Sequence, residues 1–391
     1  MNSNNFKIPF SGKSHTYLKE EIDIVNDVMQ NAETLTQGKH QKYFEKKFSE
    51  FIGVKNSFAL NSAASALELS AQLCQFKDGD EVIIPGHTYT ASAYPFIKKG
   101  AKIIWADIDL KTRVVTPETI ESCISPNTRA IVIVHLYGYA ADMPNIIKLA
   151  KKYNILVIED TAQALGVNIQ GKKAGSFGDF GVFSFHSHKN ITTLGEGGMI
   201  SVNNDEYANL IPLLRHNGHC NFEFERKEYW KPAMGNVDLP ILNGETLFPN
   251  NYCLSEVQCA LGTKLLERIN KINIEKRNKA IFFIDSISSF SNLEFHRENT
   301  ERHNYHLLAA RFITGDRDTF ISKMAKEGVQ CVVQYYPLYR YDLYKKIGQS
   351  DALCPNTDIF FDNMVSFPFQ QTLKEKDLEW MIKITKKCLQ N

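Results

Sequence analysis

From about residue 55 the chain alternates short apolar runs with stretches of helical period. "NSFAL" leads into "AASALELSAQLCQF", "DEVIIPG" precedes "TASAYPFIKKG", and "AKIIWADID" is followed by "TPETIESCI". "TRAIVIVHLYG", "MPNIIKLAKKYN" and "ILVIED" continue the alternation. The runs at 130–136 and 155–159 are almost unbroken apolar sequence, the pattern of strands covered by helices on both faces. Strands alternating with helices predict parallel βαβ units, and so an α/β fold with a mostly parallel mixed sheet flanked by helices. Around 263–280, "TKLLERINKINIEKRNKAIFFI" reads as one long helix. Beyond it the order changes to "YHLLAARF", "DRDTFISKMAKEGV", "CVVQYY" and a terminal helix, "EKDLEWMIKITKKCL". The expected division is a large α/β domain over 1–265, with an N-terminal arm, and a smaller α+β domain over 266–391. A length of 391 residues suits two cores better than one.

In open parallel sheets, ligands bind beyond the carboxyl ends of the strands. The segments expected there are "NSAASA" after 60, "PGHTYT" after 84, "HLYGY" after 134, "EDTAQ" after 158 and "HSHKN" after 185. Five polar or aromatic tips on one edge predict a site. Composition narrows what that site serves. At 43% hydrophobic and 23% charged the chain reads as an ordinary globular protein. A net charge of +1 gives no reason to expect nucleic acid. No apolar run approaches the ~20 residues that span a bilayer, and "MNSNNFKIPFSGKSHTY" has no signal-peptide core. Eight scattered cysteines without a CxxC pair suit reduced thiols, so a cytoplasmic setting without membrane attachment is expected.

The stretch "FSFHSHKNITTLGEGGMI" (183–200) carries the candidate chemistry. A lysine that can lose its proton condenses with an aldehyde cofactor, and burial of Lys189 at a strand end would favour the neutral amine. Pyridoxal phosphate also needs an acid at its ring nitrogen, and Asp160 closes "ILVIED" in a suitable place. Its phosphate needs helix N-terminal amides and hydroxyls, which "NSAASALEL" with Ser65, and Ser184, would provide. Tyr89 in "GHTYTA" is a flat ring suited to cover the cofactor.

With these motifs in order, the chain resembles the DegT/DnrJ/EryC1/StrS group of fold-type I pyridoxal phosphate enzymes, which aminate keto-sugars. The resemblance runs from "LTQGKHQKYFEKKFSEFIG" through "EVIIPGHTYTASA", "IEDTAQALG", "GSFGDFGVFSFHSHKN" and "GEGGMI" to "NNYCLSEVQCALG", and it extends to "HNYHLLAARF" and "VQYYPLY". It implies that Lys189 bonds the cofactor, Asp160 partners the pyridinium, Gln163 meets the 3-hydroxyl and Tyr89 stacks on the ring. Ser184 and the backbone at Ala63 and Ala64 would hold the phosphate, and Asn251 would reach it from a neighbouring subunit. A homodimer with shared sites follows. Several positions depart from the family pattern. Ala64 replaces a threonine, for which Ser65 or a water would compensate. Cys253 replaces an arginine, and Gln334 and Tyr339 stand where histidines are usual. The long insert "CNFEFERKEYWKPAMGNVDLPILNGETLFPN" is a further departure. These changes point to an acceptor unlike the commonest keto-sugars.

Plainer roles compete with these. Asp160 has the placing of a helix N-cap. His186 and His188, with His216, His219 and Cys220, contain zinc-ligand types, but no motif such as HExxH accompanies them, so no metal is expected. Packing or hydrogen bonding near the cofactor edge is the expected role of His186 and His188. Glu196, Gly197 and Gly198 form no dinucleotide fingerprint. In the insert, Arg226, Lys227 and Lys231 read as a solvated face or as contacts for a substrate phosphate. Some members of the group place a histidine where the lysine stands and remove a hydroxyl. Counting from "SF" to "GEGG" puts Lys189, not His188, at that position, so transamination is expected. The donor would be L-glutamate. The acceptor would be a nucleotide-linked keto-sugar for lipopolysaccharide or capsule. The alternatives are a small phosphorylated ketone such as dihydroxyacetone phosphate (giving serinol phosphate) or a sugar dehydratase using the same cofactor.

Overall fold

A computed structural model describes residues 6–10, 15–222 and 235–390. Seven strands form its main sheet: β1 Asn56–Leu60, β2 Glu81–Pro85, β3 Lys102–Ala106, β4 Thr128–Val134, β5 Leu156–Asp160, β6 Phe180–Ser184 and β7 Gly198–Val202. Their order is β1-β7-β6-β5-β4-β2-β3. Only β7 runs against the others, pairing antiparallel with both β1 and β6. The apolar runs of the sequence lie at the centre. Ile131, Val132 and Ile133 of β4 and Ile158 of β5 have no exposed surface. A strand at the middle of a parallel sheet has helices on both faces and no polar side to show.

One face of the sheet is closed by α1 (Lys39–Ile52) through aromatic packing. Phe48 meets Phe183 at 4.8 Å between ring centroids, and Phe44 meets Phe185 at 5.4 Å. On the other face lies α2 (Ala63–Leu73), which starts directly after β1. Its approach depends on Gly198 in β7. A β-carbon at Gly198 would stand 2.3 Å from the Ser62 carbonyl carbon and 2.5 Å from the Ala63 nitrogen. Only glycine lets the first turn of α2 sit against the sheet.

The long helix expected around 263–280 is two helices. The first, α3 (Glu256–Glu267), starts from a Ser255 cap with Gln258 completing the capping box. The second, α4 (Ile269–Ser286), begins after Arg268, whose φ of −112° and ψ of 6° break the helical path. No glycine or proline marks the break. The Arg268 side chain instead reaches back to the N-terminal segment, donating to both Glu21 carboxylate oxygens (2.5 and 3.0 Å) and to the Thr16 carbonyl. Beyond α4, strands β8 (Leu293–Phe295), β9 (Leu308–Phe312) and β10 (Met364–Phe367) make an antiparallel sheet with its own core around Phe283, Phe320 and Phe367.

The end of β5 is held by a carboxyl group buried next to Asp160. Glu159 has no exposed surface, and its carboxylate accepts from the amides of Gly175 (2.8 Å), Phe177 (2.5 Å) and Gly178 (2.7 Å) and from His135 Nε2 (3.2 Å). His135 Nδ1 accepts from the Ala141 amide, which leaves Nε2 to carry the proton toward Glu159. Glu159→Ala would leave these donors buried without an acceptor, at ~1–3 kcal/mol each. The variant should unfold at lower urea concentration, with a loss of roughly 3 kcal/mol or more for the cofactor-free protein. An unchanged midpoint would show that other contacts hold the turn.

Candidate active site

The strand tips do converge. A cavity of about 830 Å³ opens at the carboxyl edge of the main sheet, lined by residues 61–65, by 88, 89, 91, 92 and 94, by Val134, by Asp160, Ala162 and Gln163, and by Ser184, His186, His188 and Lys189. Its far wall comes from after the sheet: Lys276, His306, Gln334, Tyr335, Phe369 and Gln370.

Lys189 follows β6 in a tight turn, its amide donating to the His186 carbonyl at 2.8 Å. The turn is clamped from the N-terminal segment by His15, whose Nε2 donates to the Lys189 carbonyl at 2.6 Å. Enclosure of the amine lowers its pKa from 10.5 to about 8, against the opposing pull of the Asp160 carboxylate. Asp160 is 6% exposed. It accepts from Ser92 Oγ at 2.7 Å and from the Ala162 amide at 3.1 Å, so both oxygens are oriented. Ser92 is steadied in turn by Thr88 at 3.1 Å.

Gln163 has a determined orientation. Its Oε1 accepts from the Tyr137 amide at 2.7 Å, which turns the NH₂ group toward the cavity and the Tyr335 hydroxyl at 3.3 Å. It is therefore a donor to any ligand oxygen there. Tyr89 stands 57% exposed at the cavity wall, edge-on to Tyr335 at 6.1 Å, a ring with an open face. At the start of α2, Ala63 and Ala64 line the cavity, and helix geometry leaves their amides without intrahelical acceptors. Ser62 caps the helix by accepting from the Ser65 amide at 3.1 Å. The Ser65 hydroxyl donates to Asn61 Oδ1 at 2.6 Å, so it braces this loop as it lines the cavity. Ser184, paired in register with the Gly198 that abuts Ser62 and Ala63, adds a hydroxyl to the lining beside the start of α2. The group expected from the sequence fits these donors: an oriented carboxylate, a polarised amide, an anion cradle and an amine with lowered pKa share one cavity. Gln334 Oε1, buried there without a protein partner, is a further contact open to a ligand.

Other expected residues are placed as follows. His186 and His188 line the cavity, with rings 5.0 Å apart. His186 pairs with Glu196 at 3.7 Å, and burial, helped by the charges of His186 and Lys189, lowers the pKa of His188. Tyr339 is not in the cavity. Its hydroxyl is turned away, donating to Asp358 at 2.5 Å and packed near the Cys354 carbonyl, because the 338–340 turn folds back on the edge of the main sheet. Asn251 is exposed beside His216 and does not line this chain's cavity. Arg226, Lys227 and Lys231 lie outside the described residues. Sequence reading missed His15, Ser92, Tyr335, Lys276 and His306. A signal existed for Lys276: with Asn273 it interrupts the buried face of α4 otherwise made by Ile272, Ala280 and Phe283. For His15 and Tyr335 there was none, since only tertiary contact brings them near Lys189 and Gln163.

Comparison with known proteins identifies the family. The model of the DegT/DnrJ/EryC1/StrS aminotransferase family matches residues 16–385. GDP-perosamine synthase of Caulobacter vibrioides is 33% identical over 336 residues, 85% of this chain and 85% of that protein. Helicobacter pylori PseC, an aminotransferase involved in the biosynthesis of pseudoaminic acid, has a similar structure, with a TM-score of 0.86 and 26% identity, covering 97% of this chain and 99% of that one. Streptococcus pneumoniae Spr1654 in its PLP form gives a TM-score of 0.83 and 25% identity, covering 97% and 98%.

The lowered pKa of Lys189 predicts its reactivity in the cofactor-free protein. Competitive acetylation followed by mass spectrometry should show labelling of Lys189 rising to a half-maximum near pH 8. Exposed lysines continue to gain reactivity toward ~10.4. A Lys189 profile matching the exposed lysines would show that its amine is not desolvated.

Proposed function

This chain belongs to the DegT/DnrJ/EryC1/StrS aminotransferase family, and on that premise we propose that it moves the amino group of L-glutamate to the ketone of a nucleotide-linked sugar destined for a surface polysaccharide. It is a pyridoxal-phosphate-dependent transaminase. The observation that carries the reading is the meeting of Lys189 and Asp160 in one cavity, where the carboxylate acts on the enclosed amine. A relative named for a GDP-sugar and a structural neighbour from pseudoaminic acid biosynthesis support a sugar acceptor.

Bound pyridoxal phosphate supplies an aldehyde that takes up the amine and a protonated ring that draws electrons from the reacting carbon. The chain's own residues do the rest. Asp160, held by Ser92 and the Ala162 amide, keeps the ring nitrogen protonated. Gln163 donates to the ring oxygen, and Ala63, Ala64 and Ser184 hold the phosphate. Tyr89 covers the ring face. Lys189 Nζ, neutral in part near pH 7–8, takes the proton from the donor's α-carbon and returns it to the former carbonyl carbon of the acceptor. Two half-reactions share the same lysine, so donor and acceptor use the site in turn.

The same reading assigns residues 1–265 to a cofactor-binding domain and 266–391 to a smaller one. It places Asn251, absent from its own chain's cavity, at the phosphate of a partner subunit in a homodimer. Among the described residues no helix is long and apolar enough to cross a membrane, and a cytoplasmic site of action goes with a water-soluble nucleotide-sugar. Gln334, His186 and His188 would face the acceptor, with Arg226 and Lys231 of the insert as further candidates.

Supplied with pyridoxal phosphate, L-glutamate and a panel of nucleotide-linked keto-sugars plus dihydroxyacetone phosphate, the protein should form 2-oxoglutarate and one amino product. Release of ammonia with a deoxysugar would instead make it a dehydratase. Lys189→Ala should lose at least on the order of 10²–10⁴ in rate, and Asp160→Asn should fall in the same direction. Undiminished turnover by Lys189→Ala would sink the assignment.

A further inference from the structure

Lys276 is a second amine in the same cavity, and the chemistry described so far does not use it. It sits on α4, 4% exposed, and lines the cavity with His306, Phe369 and Gln370. Its Nζ donates to Asn190 Oδ1 at 3.1 Å and to the His306 carbonyl at 3.0 Å. An ammonium has three N–H groups, and both acceptors are neutral. Among the described residues no carboxylate lies within ion-pair distance of it; the buried Arg113 likewise donates only to carbonyls, whereas the buried Arg215 is matched by Glu45. Burial, helped by the neighbouring charge of Lys279, lowers the Lys276 pKa to about 7. His306, whose carbonyl it bonds, and nearby His15 are held neutral mainly by burial, helped by neighbouring cationic charge that includes Lys276. A buried amine whose partners are an amide, a carbonyl and an aromatic ring 5.5 Å away is a site where an anionic ligand would favour the protonated form and complete its bonding.

We propose that Lys276 holds the α-carboxylate of the amino-acid donor and so positions its α-carbon beside Lys189; this rests on the reading that an amino acid is the donor. The phosphate of the cofactor already has its cradle at the start of α2 and at Ser184. The acceptor's diphosphate lies several bonds from its ketone. A donor's carboxylate is one bond from the reacting carbon, and the residue that ties Lys276 in place, Asn190, follows Lys189 directly in the chain. The short reach from Lys189 through Asn190 to Lys276 therefore matches an amino acid better than a nucleotide-sugar.

Binding of 2-oxoglutarate, the keto acid left by glutamate, reads this directly by calorimetry on the cofactor-loaded protein, without turnover. Lys276→Gln and Lys276→Met should weaken it by roughly 10- to 100-fold, the loss of one charged hydrogen bond, and Lys276→Arg by much less. The KM for glutamate should rise in parallel, while the KM of the acceptor and the affinity for pyridoxal phosphate stay near wild type. Two neutral variants of different shape guard against a folding defect, which the cofactor affinity would reveal. Wild-type 2-oxoglutarate binding in both neutral variants, or a rise confined to the acceptor KM, would overturn the proposal. If the wild type ignores glutamate but uses glutamine or alanine, and Lys276→Gln raises the KM of that donor, the role of Lys276 stands and only the choice of glutamate falls.

Discussion

The structure depends on keeping a lysine amine out of water with a carboxylate in reach. Desolvation alone would strip the proton from Lys189, and a bonded carboxylate alone would hold it on. Here burial is the larger influence and Asp160 the opposing one, so the amine ends near pH 8, where both of its protonation states are populated in ordinary conditions. Such an amine can act as nucleophile and as proton carrier in one cycle. On flexible, hydrated segments the amine would return toward its ordinary pKa and stay protonated, and the neutral form would be lost.

The fold supplies that rigidity through groups that never touch a ligand. Glu159 is buried beside Asp160 and ties the end of β5 to the 175–178 turn through backbone amides. On the neighbouring strand, β6 leads to the Lys189 turn, whose carbonyl is clamped by His15. Gly198 brings the first turn of α2 against the sheet, so amides without partners inside the helix face the cavity. Each device places a functional group at the carboxyl edge of the main sheet. The opposite wall, from α4 and the segments after β9 and β10, adds amide, aromatic and cationic groups whose partners are mostly neutral.

This asymmetry accounts for how the site divides. On the strand side, the Asp160 carboxylate is held in one orientation by Ser92 and the Ala162 amide. On the far side, Lys276 and Gln334 keep capacity that the protein leaves unfilled. Oriented groups hold a resident molecule in one pose, and groups with unfilled bonding capacity can take up what enters.

Much of this was legible in the sequence by itself. Alternating apolar runs dictated a helix-covered parallel sheet, because buried strands cannot carry a polar side. The residues just past each run were then bound to meet at one edge, which is why Lys189, Asp160, Gln163, Ser184, Tyr89 and the 63–65 helix start share the cavity. Such groups are local: each is placed by the strand immediately before it. What only the tertiary structure decided are the contacts between distant segments. The 263–280 stretch has helical period throughout, yet Arg268 breaks it to reach Glu21, an interaction no local pattern encodes. Tyr339 lies in a motif that suggested a ligand contact, but packing against the sheet edge turned its hydroxyl to Asp358. His15 and Ser92 have ordinary neighbours in the sequence. Their roles come from the burial and distances that folding imposes, because the electrostatics of a charged or hydrogen-bonding group are set by its surroundings in space and not by its neighbours along the chain.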